Sequence, residues 1–385
     1  MDEKKGFGDY EEREAQAVKA IKSQIPESLR SRKADIHSPF VELREHPACP
    51  DHYTFSNVDG AGTKPILAIG MNHYSTIGID AVAMNANDVA TLGTFQFHEW
   101  IEYLACQAGI EKEKAAEIQQ GVVSGLLQCP GITIGKGETA SLDEMIRGPK
   151  PNFGFDLAGV ITGFVKKTEV PSFNPNPGDW IIGLGSSGLH CNGYTAARHI
   201  LLTGSFEQDP EQKKLYRGPF EVGLEIPGDP SKKPIGEILL EPTIVYAEAI
   251  QDIFSKFEGL RGRAFGVNIT GYGLKNFNRC GSDCIYEIHH PIKPQPIFKL
   301  LQQQSELSDE EMYTKFNMGM GFALVIPHEY GFRNGFRNII RVMETKGIFA
   351  KLVGSVRKGK GKPETHLYLG DPLFPPTYVF SGYQD

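Results

Sequence analysis

Apolar residues recur along this chain at two spacings, one typical of amphipathic helices and the other of buried strands. The helical spacing predicts helices over 11–25, which Pro26 ends, and over 78–92, 115–127, 243–257 and 336–346. Short apolar runs predict strands over 65–69, 132–134, 155–165 and 322–326, and a further strand that begins at Trp180. Helices and strands are therefore expected along most of the chain.

A proline-rich segment divides the chain. VPSFNPNPGD, from 170 to 179, holds three prolines, two asparagines and one glycine, a composition typical of a linker or a sharp junction. The 385 residues suffice for two domains. We therefore expect a helical lead-in over 1–45, an N-terminal domain over 46–170 and a C-terminal domain over 178–385.

Charge and composition argue against several classes of protein. The formal net charge is −7, whereas binding to a nucleic-acid backbone requires a basic surface. No apolar run approaches the ~18–20 residues of a transmembrane helix, and MDEKKGFGDYEERE lacks the apolar core of a secretory signal. The six cysteines are scattered, which favours reduced thiols in the cytoplasm.

A glycine- and serine-rich turn, GLGSSGLHCNGY, follows the strand that begins at Trp180. Its glycines match the dinucleotide fingerprint G-x-G-x-x-G, but the region about 20 residues on, SFEQDPEQKKLY, is polar and lacks the expected second strand. The more general interpretation is an anion site made by backbone N–H groups beside a helix N-terminus. Side-chain donors at this turn are Ser186, Ser187, His190 and Asn192.

Three motifs place carboxylates where they could bind a cation. In NVDGAGTK, Asp59 lies between glycine turns and suits hydrated Mg²⁺, while Lys64 could neutralise phosphate. In the helix over 78–92, Asn85 and Asp88 share one face, and in GKGET a strand leads into Glu138. The alternatives are an ordinary Asp-Gly turn for the first motif and the polar side of a surface helix for the second.

A second glycine turn, NITGYG, is another candidate anion site. Gly271 and Gly273 flank Tyr272 after a short predicted strand. Together these motifs predict metal ions, held by the three carboxylates, that bridge nucleotide phosphates. The two glycine turns would then hold a phosphorylated substrate.

The order of these motifs resembles that of the phosphoribosylformylglycinamidine cyclo-ligase family, also called aminoimidazole ribonucleotide synthetase. The resemblance covers DGAGTK, NANDV, GETA, GDWIIGLGSSGLHCNGY, LLEPTIVY, NITGYG and FNMGMGFALVIP, roughly from Asp59 to Pro327. It implies a two-domain α/β fold in which the N-terminal domain contributes to a β-barrel within a homodimer, followed by a C-terminal α/β domain. It also implies a cytoplasmic enzyme that acts on a small phosphorylated substrate and has neither a nucleic-acid nor a membrane partner.

The family resemblance implies a reaction and the residues that carry it. With ATP and Mg²⁺, formylglycinamidine ribonucleotide is cyclised through an imino phosphate, and holding the attacking amine close makes ring closure effectively unimolecular. Matching positions imply Asp59, Asp88 and Glu138 as metal ligands and, with Lys64 and Asn268, as catalytic residues. The implied nucleotide-binding set is Lys22, Asp59, Gly60, Thr63, Lys64, Asn87, Asp88, Glu138 and Thr139. The implied substrate-binding set is Ser186, Ser187, Gly188, His190, Asn192, Thr270, Gly271 and Gly273.

Two departures from the family pattern concern the substrate. Asn268 stands where the family has histidine, and Tyr272 stands where it has glycine. These changes leave two alternatives open. The chain could be a divergent member that acts on another small molecule with ATP, or a nucleotide-binding dimer without catalysis.

Overall fold

The computed structural model describes residues 16–29, 32–226, 230–330, 335–370, 373 and 375–382. Part of the predicted helix over 11–25 lies outside these residues, and 16–23 are helical and exposed. None of the helices in the described part of the chain has the length and apolar composition that a membrane span requires.

The N-terminal half forms a sheet covered by helices on one face. Its strands run in the order β1-β2-β6-β3-β4, and β5 also pairs with β3. The strands are β1 (Leu43–Glu45), β2 (His52–Gly60), β3 (Gln96–Cys106), β4 (Thr133–Ile134), β5 (Glu138–Ser141) and β6 (Phe155–Lys166). The helices are α1 (Lys64–Met71), α2 (Ser75–Ala90) and α3 (Lys112–Leu126), of which α2 packs on β2 and β6.

The C-terminal half forms a second sheet, in the order β13-β12-β9-β11-β7-β10-β8. Its strands are β7 (Trp180–Gly185), β8 (Phe265–Asn268), β9 (Cys284–Ile288), β10 (Met320–Ile326), β11 (Ala350–Lys358), β12 (Glu364–Leu367) and β13 (Tyr378–Ser381). Its helices are α4 (Tyr194–Leu201), α5 (Pro210–Lys213), α6 (Ile235–Leu240), α7 (Ala247–Lys256), α8 (Pro296–Ser305), α9 (Asp309–Lys315) and α10 (Gly335–Thr345). Two sheets with packed helices confirm the α/β class.

Strand alternation gives the N-terminal sheet one buried and one exposed face. Along β6, Leu157, Ile161 and Val165 are buried on the face that α2 covers. On the opposite face, Val58 is 67% exposed and Tyr103 is 44% exposed. Because residues two apart share a face, the apolar side chains of this exposed face form a continuous surface across the sheet.

Two glycines let α2 and α3 pack unusually closely, and this contact fixes the position of α2. A Cβ added at Gly121 would lie 1.7 Å from the carbonyl oxygen of Ser75, and one at Gly78 would lie 2.3 Å from that of Ile118. Both distances are far inside van der Waals contact. Larger side chains would therefore push α2 away from α3.

The strand predicted over 65–69 is wrong, because this segment lies in α1. Pro65 occupies the first turn of that helix, where proline is favoured, and a short apolar run does not distinguish a buried helix from a strand. The helix predicted over 243–257 begins later, at Ala247, because the preceding residues bind α2 through their backbone. The strands predicted over 155–165 and 322–326 are confirmed as β6 and β10.

Candidate active site between the two sheets

Two carboxylates from different elements lie close together at one end of the N-terminal sheet. Asp59 is the penultimate residue of β2, and Asp88 lies in the last turn of α2, where the helix dipole disfavours a negative charge. Both side chains are half-buried. Burial raises the pKa of Asp88 to about 6, and the negative charge of Asp59 adds to this rise. A bound cation would therefore reduce the repulsion between these two carboxylates and favour their ionised forms.

Amide side chains orient this carboxylate pair. Asn268 Nδ2, at the end of β8, donates to Asp88 Oδ1 over 2.8 Å, and Asn57 Nδ2 lies 3.5 Å from Asp88 Oδ2. Both bonds favour the ionised carboxylate and offset part of the burial effect. Asn85 Nδ2 donates to the backbone oxygen of Asp59 over 3.2 Å. The C-terminal sheet therefore contacts the pair directly, through Asn268.

The chemistry of these donors fits Mg²⁺. Magnesium prefers oxygen ligands, keeps several waters and is commonly held by one or two carboxylates together with substrate phosphates. Asp59 and Asp88 supply two carboxylates, and their partial exposure leaves room for water and phosphate. Mg²⁺ would neutralise the mutual repulsion that disfavours two adjacent ionised carboxylates.

Glu138 does not join this pair within one chain. Gly60, Ala158, Tyr103 and Glu138 form one row across the sheet, so Glu138 lies three strand spacings, about 14 Å, from β2. It lines a cavity of about 390 Å³ on the exposed face, together with Val58. Among the described residues no group of three or more His, Cys, Asp or Glu side chains could hold a metal ion. The single three-carboxylate cluster expected from the sequence is therefore not formed by one chain.

The side chain of Lys64 is buried and is not accessible to a phosphate group. This side chain is 0% exposed, and its Nζ lies 2.7 Å from Asp80 Oδ2 and donates to the Glu241 backbone oxygen over 2.7 Å. Burial, the largest single effect, lowers the pKa of Lys64, but Asp80 together with smaller contributions from Tyr194 and Cys191 outweighs it, and the net pKa lies above the usual range. Lys64 is thus a charged structural group in this conformation. Nearby, Thr63 Oγ1 lies 3.0 Å from Thr195 Oγ1 at the start of α4.

Asn87, also expected to bind the nucleotide, instead ties α2 to the segment before α7. Its Nδ2 donates to the Ile244 oxygen over 2.8 Å, and its Oδ1 accepts from the Tyr246 N–H over 2.9 Å. Asp80, on the same helix, accepts from both the N–H and the hydroxyl of Thr243 over 2.7 Å. These buried bonds anchor α2, and hence Asp88, against the C-terminal half.

Most of the polar side chains of the turn after β7 form hydrogen bonds within the protein that stabilise the loop. Ser186 Oγ donates to Asn317 Oδ1 over 3.0 Å, and Ser187 Oγ donates to the Pro242 oxygen over 2.6 Å. His190 Nε2 accepts from the Ser187 N–H over 3.2 Å and is only 3% exposed. Burial, with a smaller contribution from the charge of Lys64, lowers the pKa of His190 to about 3, so the ring is neutral.

The turns after β7 and β8 meet the loop after β2 beside the carboxylate pair. The Oδ1 of Asn192 would lie 3.6 Å from a Cβ at Gly271, and the Cys191 oxygen would lie 3.8 Å from one at Gly62. Gly271 and Tyr272 are half-buried. The structure thus brings both predicted anion sites together next to the carboxylate pair.

The remaining predicted residues lie in different surroundings. The Gly188 oxygen accepts from Asn317 Nδ2 over 2.8 Å, and Gly273 is buried at a positive φ of 51°. Thr270 Oγ1 lies 3.3 Å from Asn276 Oδ1. Lys22 and Thr139 are exposed, Lys22 before the N-terminal sheet and Thr139 beside Glu138 on β5. Their roles in binding stay predictions.

Comparison with known proteins identifies the family. The family models for the N-terminal and C-terminal domains of AIR synthase related proteins match residues 46–165 and 176–254. The phosphoribosylformylglycinamidine cyclo-ligase of Methanosarcina acetivorans is 35% identical over 81% of this chain and 85% of its own length. That of Thermoplasma acidophilum is 37% identical over 80% of each chain. The chain belongs to the phosphoribosylformylglycinamidine cyclo-ligase family.

The fold of this cyclo-ligase family member also has solved neighbours. The structure of AaThiL complexed with AMPPCP and TMP superposes with a TM-score of 0.52 at 12% identity, over 91% of this chain and 92% of that one. At this identity the likeness shows the fold alone. It agrees with the two-domain α/β architecture that the family resemblance implied.

Sequence reasoning missed two charged residues around the site of this family member. Asp80 pairs with Lys64 inside the protein, and an acidic residue on the apolar side of α2 was a usable signal for it. Arg279, at the end of the turn of 3₁₀-helix Gly273–Arg279, places a positive charge near enough to Asp88 to lower the pKa of that carboxyl. No motif in the sequence pointed to Arg279.

Proposed function

We propose that this chain catalyses the ATP-dependent cyclisation of formylglycinamidine ribonucleotide to aminoimidazole ribonucleotide in purine biosynthesis. The observation that carries the proposal is the Asp59–Asp88 pair beside two glycine turns, in a chain whose relatives are named cyclo-ligases. The fold neighbour AaThiL was solved with AMPPCP, which supports a nucleotide in this fold.

We assign different roles to the residues of this site. Asp59 and Asp88 would hold Mg²⁺, which when bound neutralises charge on the transferring phosphoryl group. Asn268 orients Asp88, and the backbone N–H groups of the turns after β7 and β8 would bind the phosphate of the substrate. Fixing both reactants in one site makes phosphoryl transfer effectively unimolecular, and holding the reacting nitrogen close to the carbon it attacks favours the intramolecular ring closure. The amide oxygen of the substrate attacks the γ-phosphorus of ATP and ADP leaves, which gives the imino phosphate. A nitrogen of the same molecule then attacks the carbon that carries the phosphate, and inorganic phosphate leaves as the ring closes.

A second copy of the chain is the proposed partner. The exposed apolar face of the N-terminal sheet, with Val58 67% exposed, is the surface that a homodimer would bury. Glu138 lies along this face, so dimerisation would place it at the interface, close to the second chain, whereas Thr139, the next residue of β5, points to the other face of the sheet. A cytoplasmic location accompanies this proposal, as an expectation for a purine-biosynthetic enzyme.

The direct test is a product assay. Purified protein is incubated with formylglycinamidine ribonucleotide, ATP and MgCl₂, and aminoimidazole ribonucleotide and ADP are quantified. We expect equal amounts of both products from the wild type and neither from D88N, which retains the size of the side chain but loses its charge and one of its two acceptor oxygens. A folded wild type that binds Mg–ATP and forms no aminoimidazole ribonucleotide contradicts the proposal.

Asn268 and Tyr272 favour one second candidate, a family member that acts on a different small molecule with ATP. Tyr272 lies between Gly271 and Gly273 in the turn after β8 and is half-buried, at a position where the family has glycine. If this alternative holds, Y272G does not create cyclo-ligase turnover, and another phosphorylated metabolite stimulates ATP hydrolysis by the wild type.

A further inference from the structure

An irregular stretch of chain joins α6 to α7, and we call it the bridge segment and define it as residues 241–246. Half of it is buried, namely Thr243, Val245 and Tyr246. Buried backbone N–H and C=O groups that do not belong to a helix or strand need partners from elsewhere in the chain. The partners of the bridge segment therefore show which parts of the protein it connects.

On one side the bridge segment is bonded to α2, the helix that carries Asp88. Asn87, the neighbour of Asp88, donates to the Ile244 oxygen over 2.8 Å and accepts from the Tyr246 N–H over 2.9 Å. Asp80 of the same helix accepts two further hydrogen bonds from the bridge segment, each over 2.7 Å. The bridge segment is thus fixed relative to the helix of the carboxylate pair.

On the other side the bridge segment is bonded to the turn after β7. Tyr246 Oη donates over 2.7 Å to the oxygen of Gly185, the last residue of β7. Ser187 Oγ, within the turn, donates to the Pro242 oxygen over 2.6 Å. The same six residues therefore contact both the metal-binding helix and the turn to which we assign the phosphate of the substrate.

Tyr246 contacts both sides at once, through its backbone N–H toward α2 and through its hydroxyl toward the turn. Its ring centroid lies 5.2 Å from that of Phe322, and its side chain is 0% exposed. A Cβ added at Gly321 of β10 would overlap both the Tyr246 hydroxyl and the ring of His190, which belongs to the turn. Close packing thus fixes the hydroxyl, and the hydroxyl fixes the point at which the chain leaves β7.

We propose that Tyr246 is a positioning residue for the reaction: its hydroxyl holds the turn after β7, and hence the bound substrate, in place relative to the nucleotide beside Asp88. This inference rests on the proposed function, because it assumes that the turn binds the substrate. Phosphoryl transfer depends steeply on how its two reactants are placed. Loss of the hydroxyl should therefore slow the reaction, while Mg–ATP binding persists because the backbone bond to Asn87 remains.

The experiment compares Y246F with the matched control Y286F in full-length protein. Each variant loses one hydroxyl and keeps a buried ring. The hydroxyl of Tyr286 donates to the Cys280 oxygen over 3.0 Å, and its strand, β9, is separated from β7 by β11. The product assay gives kcat and KM for formylglycinamidine ribonucleotide, and calorimetric titration gives Kd for Mg–AMPPNP. Hydrogen–deuterium exchange without ligand gives the protection of residues 185–193.

We expect Y246F to lower kcat about tenfold, which corresponds to about 1.4 kcal/mol in activation free energy, and to raise KM for formylglycinamidine ribonucleotide a few-fold. Its Kd for Mg–AMPPNP should match that of the wild type, and residues 185–193 should exchange faster. Y286F should lose a similar amount of stability, measured as Tm, but should match the wild type in kcat, in KM and in exchange of this turn. A merely structural Tyr246 would lower Tm and leave kcat, KM and the turn unchanged.

Either of two results overturns the inference. One is a kcat and KM of Y246F that equal those of Y286F, and the other is exchange of residues 185–193 in Y246F that equals the wild type. Failure of the proposed function is distinguishable, because a folded wild type then forms no aminoimidazole ribonucleotide. In that case the ligand-free exchange of Y246F and Y286F still decides whether Tyr246 holds the turn.

Discussion

Replacing Lys64 by methionine tests whether this lysine is a structural group or a phosphate ligand. The side chains of Lys64 and Asp80 are both 0% exposed, and their charged atoms lie 2.7 Å apart. Methionine fills a similar volume but removes the charge. Asp80 then keeps its bonds from Thr243 and loses its cationic partner.

The size of the effect follows from this burial. Removing one partner of a buried ion pair leaves an uncompensated charge and costs about 3–5 kcal/mol. For a cooperative unit of 150–250 residues, each kcal/mol lowers Tm by about 2–4 °C. K64M should therefore melt about 6–20 °C below the wild type. K64M/D80L removes both charges and should recover part of this loss of stability. The recovery should be incomplete, because the Glu241 oxygen and the Thr243 donors still lack the partners they have in the wild type.

The assay combines thermal unfolding with Mg–AMPPNP titration at a temperature where every variant is folded. The control is K214M, because Lys214 forms an exposed pair with Glu211 and such pairs contribute about 0–1 kcal/mol. We expect K64M to lose stability but to bind nucleotide with unchanged affinity when folded. A K64M variant that has the same Tm as the wild type but no longer binds nucleotide would refute the structural role. It would instead support the role in phosphate binding that was inferred from the sequence.

Three further predictions follow from the site and the fold. Because the pKa of Asp88 lies near 6, Mg²⁺ affinity should fall as pH drops through about 6. The raised pKa in the folded state also means that the stability contributed by this group is lost as pH rises from about 4 to 6. D88N should therefore bind no Mg²⁺ but melt slightly above the nucleotide-free wild type. G121A, whose methyl would lie 1.7 Å from a backbone oxygen, should cost at least about 3 kcal/mol in chemical unfolding, whereas G223A, with no atom within 4 Å, should cost little. V58D, on the exposed apolar face, should sediment as a monomer under conditions where the wild type is a dimer, and a V58D dimer would contradict the proposed interface.

The sequence was informative where a local pattern determines the structure. Alternation along β6 and the apolar run of β10 predicted both strands. The spacing of Asp88 from Asn85 predicted a shared helix face, and the glycine turns predicted loops, which in the structure approach each other beside the carboxylate pair. These features depend on neighbours within a few residues.

Features that depend on distant pairing could not be predicted from local patterns. Glu138 falls on the sheet face opposite the carboxylate pair because β5 pairs in register with β3, and a register is not visible in one strand alone. Lys64 and His190 looked like open polar donors, yet tertiary packing buries both. The role of Asp80 likewise depends on a lysine 16 positions away, which is on another helix.

The central claim is that Asp59 and Asp88 together bind the catalytic cation. Its most direct test is a titration with Mn²⁺, as a paramagnetic substitute for Mg²⁺, in which free and bound metal are measured by electron paramagnetic resonance in the presence of AMPPNP. The wild type and K214M, which changes an exposed lysine, should bind Mn²⁺ with similar affinity, whereas D59N and D88N should each lose at least about 90% of the bound metal at equal concentration, which is tenfold or more in affinity. Unchanged Mn²⁺ binding in D59N and D88N, with both proteins folded, would contradict the account.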